Sequence, residues 1–198
     1  MITDDHPPLM RYLDEHLDVI QSVRDMIADV ESLADRICAR LSRGGVIYSF
    51  GNGGSAADAQ HLAGELIGRY CRERRPLPAV ALSTDPTVTT CIGNDYSFDD
   101  VFARQVTALA GPDDVVVAFT TSGRSPNVVA ALRAGREAGA LTVLFTGRAD
   151  EGGGPAADHA DHVLAVPSSR TARVQEAHVM LLHLLSEQID RWAAADRG

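Results

Sequence analysis

Five short stretches of this chain are apolar almost without a break, and they constrain its fold more than any other feature. They are Val46-Ile47-Tyr48-Ser49-Phe50, Ala79-Val80-Ala81-Leu82, Val115-Val116-Val117-Ala118-Phe119, Leu141-Thr142-Val143-Leu144-Phe145 and His162-Val163-Leu164-Ala165-Val166. A strand with one wet face alternates apolar and polar residues, whereas a strand covered on both faces need not. Glycine, serine or proline bounds the runs. Apolar residues at helical spacing fill the intervals, from Ser55 to Tyr70, Asp99 to Ala110, Pro126 to Ala138 and Thr171 to about Ala194. Strands that alternate with helices pair in parallel through right-handed crossovers. The sequence therefore predicts an α/β fold, a three-layer αβα sandwich around a five-stranded parallel sheet.

Ahead of the first strand, Leu13, Leu17, Ile20, Val23, Ile27, Val30, Leu33, Ile37 and Leu41 recur at helical spacing until Gly44-Gly45 ends the pattern. We read residues 1–44 as a helical extension, one helix or two in series, that packs on the core or on a second copy, and 45–198 as the α/β domain. A length of 198 residues fits one such unit. Net charge is −9, so no basic excess displaces counterions from a nucleic acid, and none is expected as a partner. No window approaches the apolar length of a membrane span, and the acidic start Met1-Ile2-Thr3-Asp4-Asp5 lacks the apolar segment of a secretory signal. All 18 basic side chains are arginine, which removes Schiff-base chemistry and a P-loop lysine. Cys38, Cys71 and Cys91 are too few and too scattered for a disulfide framework or a thiolate zinc site. They read as buried small apolar side chains of a cytoplasmic protein.

Two strand-to-helix loops have the composition of anion sites. Gly51-Asn52-Gly53-Gly54-Ser55 follows the first strand and opens a helix, where glycines admit a ligand to the backbone and helix-start amides point at an anion. It matches neither the Walker nor the dinucleotide spacing. Thr120-Thr121-Ser122-Gly123-Arg124-Ser125-Pro126-Asn127 is the stronger signal. Helix capping accounts for Ser125 and Pro126 but leaves three consecutive hydroxyls, Thr120, Thr121 and Ser122, which suit phosphate oxygens. Ligands of such sheets sit where strand order reverses, beyond the carboxyl ends of the strands.

His61 and Glu65 stand four apart on one helix face, able to hold a metal or to pair a base with a polarising group. The last helix carries Gln175, Glu176, His178 and His183 among apolar residues. His178 and His183 lie roughly 140° apart around the helix, so one small site takes one of them, and periodicity does not say which. His159 and His162 read as surface residues. Gly152-Gly153-Gly154-Pro155 is a loop without evident chemistry.

Taken together, GNGGSAADAQH (51–61), ELIGRY (65–70), GNDYSFDDVF (93–102), TTSGRSPNVV (120–129) and RVQEAH (173–178) make the chain resemble the single-domain sugar isomerase (SIS) proteins, and among them the phosphoheptose isomerases. The resemblance implies a flavodoxin-like SIS sheet, assembled as a homotetramer with active sites between subunits. It implies conversion of sedoheptulose 7-phosphate to D-glycero-D-manno-heptose 7-phosphate for activated heptose. Asn52, Gly53, Gly54 and Ser55 would line the sugar-phosphate site, Asn94 and Asp95 would contact the sugar, and Thr120, Thr121, Ser122 and Ser125 would cradle the phosphate. One Zn²⁺ per subunit would fall on His61, Glu65, Gln175 and His183, with Glu65 and His183 as the acid–base pair and Glu65 and Gln175 also meeting substrate. Thr120 stands where serine is usual and Arg124 where asparagine is usual. Two other readings share much of the pattern, a non-catalytic SIS adaptor that binds a replication initiator and an isomerase for a heptose or octose phosphate of an antibiotic sugar.

Overall fold

The computed structural model describes residues 9–148 and 151–195. The acidic stretch Met1–Asp5 lies outside the described residues.

The five apolar runs form one parallel sheet: β1 (Ile47–Gly51), β2 (Ala79–Ala81), β3 (Val115–Phe119), β4 (Leu141–Thr146) and β5 (His162–Ala165), in the order β2-β1-β3-β4-β5. β1, β3 and β4 are buried along their whole length, which is why their sequences do not alternate. Successive residues still face opposite layers. Ile47, Val115, Val117, Phe119, Val143 and Phe145 join the core under α2 (Ile27–Leu41), α3 (Gly54–Ile67) and α7 (Thr171–Ala195). Tyr48, Phe50, Val116, Ala118 and Leu144 join the core under α4 (Pro86–Asp95), α5 (Ala103–Leu109) and α6 (Pro126–Glu137). No helix among the described residues is long and apolar enough to cross a membrane.

The N-terminal helical stretch is two helices in series. α1 (Leu9–Ser22) is separated from α2 by a 3-10 turn at Val23–Met26. α2 buries Val30, Leu33, Ile37 and Leu41 in the sheet's own core, whereas α1 buries nothing. Polar contacts hold α1 on α7: His16 Nδ1 with Glu176 Oε2 at 2.8 Å, and Arg173 donating to the Tyr12 carbonyl. Leu9, Met10, Leu13 and Leu17 stay exposed.

Four sequence readings need correction. α4 is a helix that periodicity does not show, because Pro86-Thr87-Val88-Thr89-Thr90 is β-branched and weakly amphipathic; Asp85 starts it, its carboxylate accepting the amides of Thr87 at 2.8 Å and Val88 at 3.2 Å. The helix expected over Asp99–Ala110 is a 3-10 turn at Phe98–Asp100 followed by α5. Only Cys38 is buried; Cys71 and Cys91 are exposed. His162 opens β5 as its apolar run predicts but is half-buried rather than on the surface, and burial and the nearby Arg36 push its imidazole below the usual range.

Candidate active site

Strand order reverses between β1 and β3, the two strands from which the chain leaves in opposite directions across the sheet. Directly beyond their carboxyl ends is a cavity of about 250 Å³, lined by Asn52, Gly54, Ser55, Phe119, Thr120, Thr121, Ser122, Ser125, Thr171 and Gln175. Three helices begin at its wall: α3 at Gly54, α6 just after Ser125, and α7 at Thr171. Each turns the positive end of its dipole toward the same space. No arginine among the described residues lines it, so an anion placed there would meet dipoles and hydroxyls rather than a guanidinium.

The loops are built to leave these groups free. Ser125 occupies the N-cap position of α6, yet its side chain makes no capping bond, so its hydroxyl faces the cavity unspent. A β-carbon on Gly54 would collide with the Gln175 amide, so glycine is what lets α7 lay that amide against the start of α3. The two loops are tied by a reciprocal pair of amide hydrogen bonds, Asn52 Nδ2 to Asn127 Oδ1 and Asn127 Nδ2 to Asn52 Oδ1, both 2.9 Å. The segment Gly152-Gly153-Gly154 backs the second loop so closely that a β-carbon on Gly123 would strike the Gly153 carbonyl. Arg124 does not line the cavity; its guanidinium donates to Glu151 Oε2 at 2.7 Å.

The last helical turns of α3 meet the middle of α7. Glu65 Oε1 is 3.0 Å from His61 Nε2, and His61 Nε2 is 3.2 Å from His183 Nε2. Ligand atoms of the three side chains all lie within 4.8 Å of one another, and Tyr70 covers the His183 ring. Burial holds the His183 imidazole below its usual range; His61 adds to this and Glu65 opposes it. Two imidazoles that turn ring nitrogens toward each other beside a carboxylate are a donor set suited to a borderline divalent cation such as Zn²⁺, with a position left open. The pair Glu65–His183 forms within one chain and needs no second copy to bring it together.

The choice between the two histidines of α7 follows from which helix face meets what. His178 points into the sheet, fully buried and edge-on to Phe119 and Phe145. Its ring nitrogens make no hydrogen bond of good geometry, and burial, only slightly offset by the Thr146 backbone, pushes it down to about 4. Asp58, one turn after Gly54 on α3, is also buried without a partner for Oδ2; burial pushes its carboxyl up to about 6 against the pull of His61.

A buried strut fixes the end of α3 that carries Glu65. The Arg74 guanidinium donates to the carbonyls of Glu65 at 2.7 Å, Leu66 at 2.8 Å and Gly68 at 3.2 Å, completing the helix terminus. Its Nε meets Asp190 Oδ1 of α7 at 3.0 Å, with both side chains almost wholly buried. Burial alone would raise the Asp190 carboxyl, but the amides of Arg72 and Cys71 and the Arg74 charge together hold it below its ordinary value.

The structure therefore brings Asn52, Gly54, Ser55, Thr120, Thr121, Ser122, Ser125 and Gln175 to one cavity, and His61, Glu65 and His183 to one cluster. The cluster does not line the cavity; α3 runs from one to the other, His61 lying seven residues and ~10 Å of helix rise beyond Gly54. Gln175 belongs to the cavity wall, eight residues or ~12 Å of helix before His183. Asn94 and Asp95 are exposed at the end of α4, bonded to each other at 2.7 Å and absent from the cavity wall. Asn127 and Thr171 were missed from sequence. Asn127 is the second residue of a helix, where a helical role suffices to explain it, and Thr171 is brought to the cavity only by the return of α7. A larger hollow of about 680 Å³ between α2 and α7 contains none of the predicted residues, so size alone does not mark the site.

The SIS domain family matches residues 11–147. Phosphoheptose isomerase of Solidesulfovibrio magneticus is 54% identical over 82% of this chain and 78% of that protein. Phosphoheptose isomerase of Aquifex aeolicus is 47% identical over 86% of each. The solved structure of the Neisseria gonorrhoeae phosphoheptose isomerase superposes with a TM-score of 0.84 at 39% identity, covering 92% of this chain and 97% of that one.

Proposed function

The chain belongs to the SIS-domain family of phosphoheptose isomerases, and from that premise we propose how its residues isomerise a sugar phosphate. It is an aldose–ketose isomerase that converts sedoheptulose 7-phosphate to D-glycero-D-manno-heptose 7-phosphate in heptose biosynthesis. The observation that carries the mechanism is the pairing, on one helix, of a hydroxyl-lined anion cavity at the first turn with a carboxylate–imidazole cluster two to three turns on. An extended seven-carbon sugar phosphate can cover that distance.

Thr120, Thr121, Ser122 and Ser125, with the amides at the starts of α3, α6 and α7, hold the phosphate on C7. Remote binding of this kind aligns the reacting end. Glu65 takes the proton from C1 to give a cis-enediol and returns it to C2, while His183, whose imidazole burial holds below its usual range, moves a proton from O1 to O2. Each such group contributes about 10²–10⁴-fold in rate. His61, Glu65 and His183 would hold a Zn²⁺ ion, which when bound would polarise the carbonyl and diol oxygens, while Gln175, the fourth ligand the resemblance implies, stands on the cavity wall.

A second copy completes the assembly in this reading, as a homotetramer of cytoplasmic subunits with sites between them. The exposed apolar stripe of α1, within the 1–44 extension, and the placement of Asn94 and Asp95 outside their own cavity both support it. The adaptor and antibiotic-sugar readings gain no support from the relatives. Incubation with sedoheptulose 7-phosphate, followed by NMR with added Zn²⁺ and with chelator, should show aldoheptose formation that chelator suppresses. Glu65→Gln should abolish turnover and retain phosphate-ligand binding; near-normal turnover in that variant overturns the assignment of the base.

A further inference from the structure

Of the two carboxylates on α3, Glu65 bonds to His61, while Asp58 shows no hydrogen bond or ion pair among the described residues and has Oδ2 buried without a partner. Asp58 is 7% exposed and lies between Gly54 at the cavity and His61 in the cluster. Buried polar groups are normally paired, and the exceptions concentrate where function needs them. Three residues on, His61 has the complementary deficit. Its Nε2 is committed to Glu65 and His183, at 3.0 and 3.2 Å, and no partner appears for Nδ1 among the described residues. An imidazole that offers Nε2 to a cation must carry its proton on Nδ1, and that N–H needs an acceptor to fix the ring. Residues three apart on a helix are surface neighbours, so side-chain rotation alone can join the two.

We propose that Asp58 is a positioning residue for the cluster, its carboxylate accepting the Nδ1–H of His61 and so holding Nε2 toward Glu65 and His183. This rests on the reading of His61, Glu65 and His183 as a cation site. It also explains why an unpartnered acid persists inside α3: the group is unsatisfied until the cluster is loaded.

The test compares wild type, Asp58→Asn, Asp58→Leu and His61→Ala. Zn²⁺ affinity is measured by competition with a chromophoric chelator, Co²⁺ absorption reports ligand geometry, and thermal unfolding is followed on the metal-free protein. Both Asp58 variants should bind Zn²⁺ about 10–100-fold more weakly, with an altered Co²⁺ spectrum. Their metal-free melting temperature should hold or rise, because an unpaired buried charge has been removed. Wild-type affinity in Asp58→Asn and Asp58→Leu, with binding lost in His61→Ala, overturns this inference alone. So does a fall in metal-free melting temperature that tracks the loss of affinity, which marks Asp58 as structural. Failure of the wild type to bind Zn²⁺, or binding that survives His61→Ala, overturns the cation site and the inference with it.

Discussion

Asp190→Ala removes the anion from the strut that joins α3 to α7, and its cost can be worked from the contacts. The Arg74 and Asp190 side chains are 1% and 0% exposed, so water cannot replace either partner. The variant strands the Arg74 guanidinium beside carbonyls only, and it orphans the Arg72 and Cys71 amides that Asp190 accepts at 2.7 and 3.2 Å. Removing one partner of a buried pair costs about 3–5 kcal/mol. For a chain of this length each kcal/mol moves the melting temperature by roughly 2–4 °C, so a fall on the order of 10 °C is expected at neutral pH. The Asp190 carboxyl is held below its ordinary value in the folded state, so its contribution is present above the unfolded carboxylate range and fades as pH falls through the folded value. The wild-type advantage over Asp190→Ala should therefore shrink on acidification. Arg74→Met/Asp190→Leu, which removes both charges, should lose less than the two single changes summed. Thermal unfolding of wild type, Asp190→Ala, Arg74→Met, Asp190→Leu and the double variant between neutral and acidic pH measures all of this. A fall under about 2 °C for Asp190→Ala, or strict additivity in the cycle, would refute the buried strut.

Gly54→Ala should leave stability nearly unchanged, since alanine suits a helix, but should push Gln175 off the cavity wall. Misplacement on that scale predicts a loss of roughly ten- to a hundredfold in kcat/KM, and steady-state rates equal to wild type would count against the cavity as the substrate site. His178→Leu isolates the neutral buried imidazole. With a folded value of about 4 against 6.5 unfolded, wild type loses stability as pH falls from 6.5 toward 4, because only the unfolded chain takes up the proton. The variant should gain on wild type by about 1.4 kcal/mol per pH unit across that window in chemical denaturation, and a pH-independent difference would show that His178 is not held neutral.

The sheet was legible because burial on both faces writes itself into each strand as an unbroken apolar run: β1, β3 and β4 needed no tertiary information to be recognised. That the two loops meet at one cavity was half legible: three consecutive hydroxyls at 120–122 exceed what helix capping needs, whereas the glycines at 51–54 would serve a plain tight turn as well. α4 escaped because its helix depends on one side chain, Asp85, rather than on periodicity. The exposures of Cys71 and Cys91 escaped because a short side chain is compatible with either environment. Periodicity placed His178 and His183 on different faces of α7 without saying which face meets α3. That depends on how α7 crosses the sheet, a contact between segments more than a hundred residues apart, and it seats His178 on Phe119 and Phe145 while turning His183 to His61 and Glu65. The same packing leaves Asp58 without a partner and draws Asn127 onto Asn52. Local sequence thus determined which elements exist and which chemical groups they carry. The tertiary structure decided which groups meet, because the relative rotation of packed helices is set by side chains that are distant in sequence.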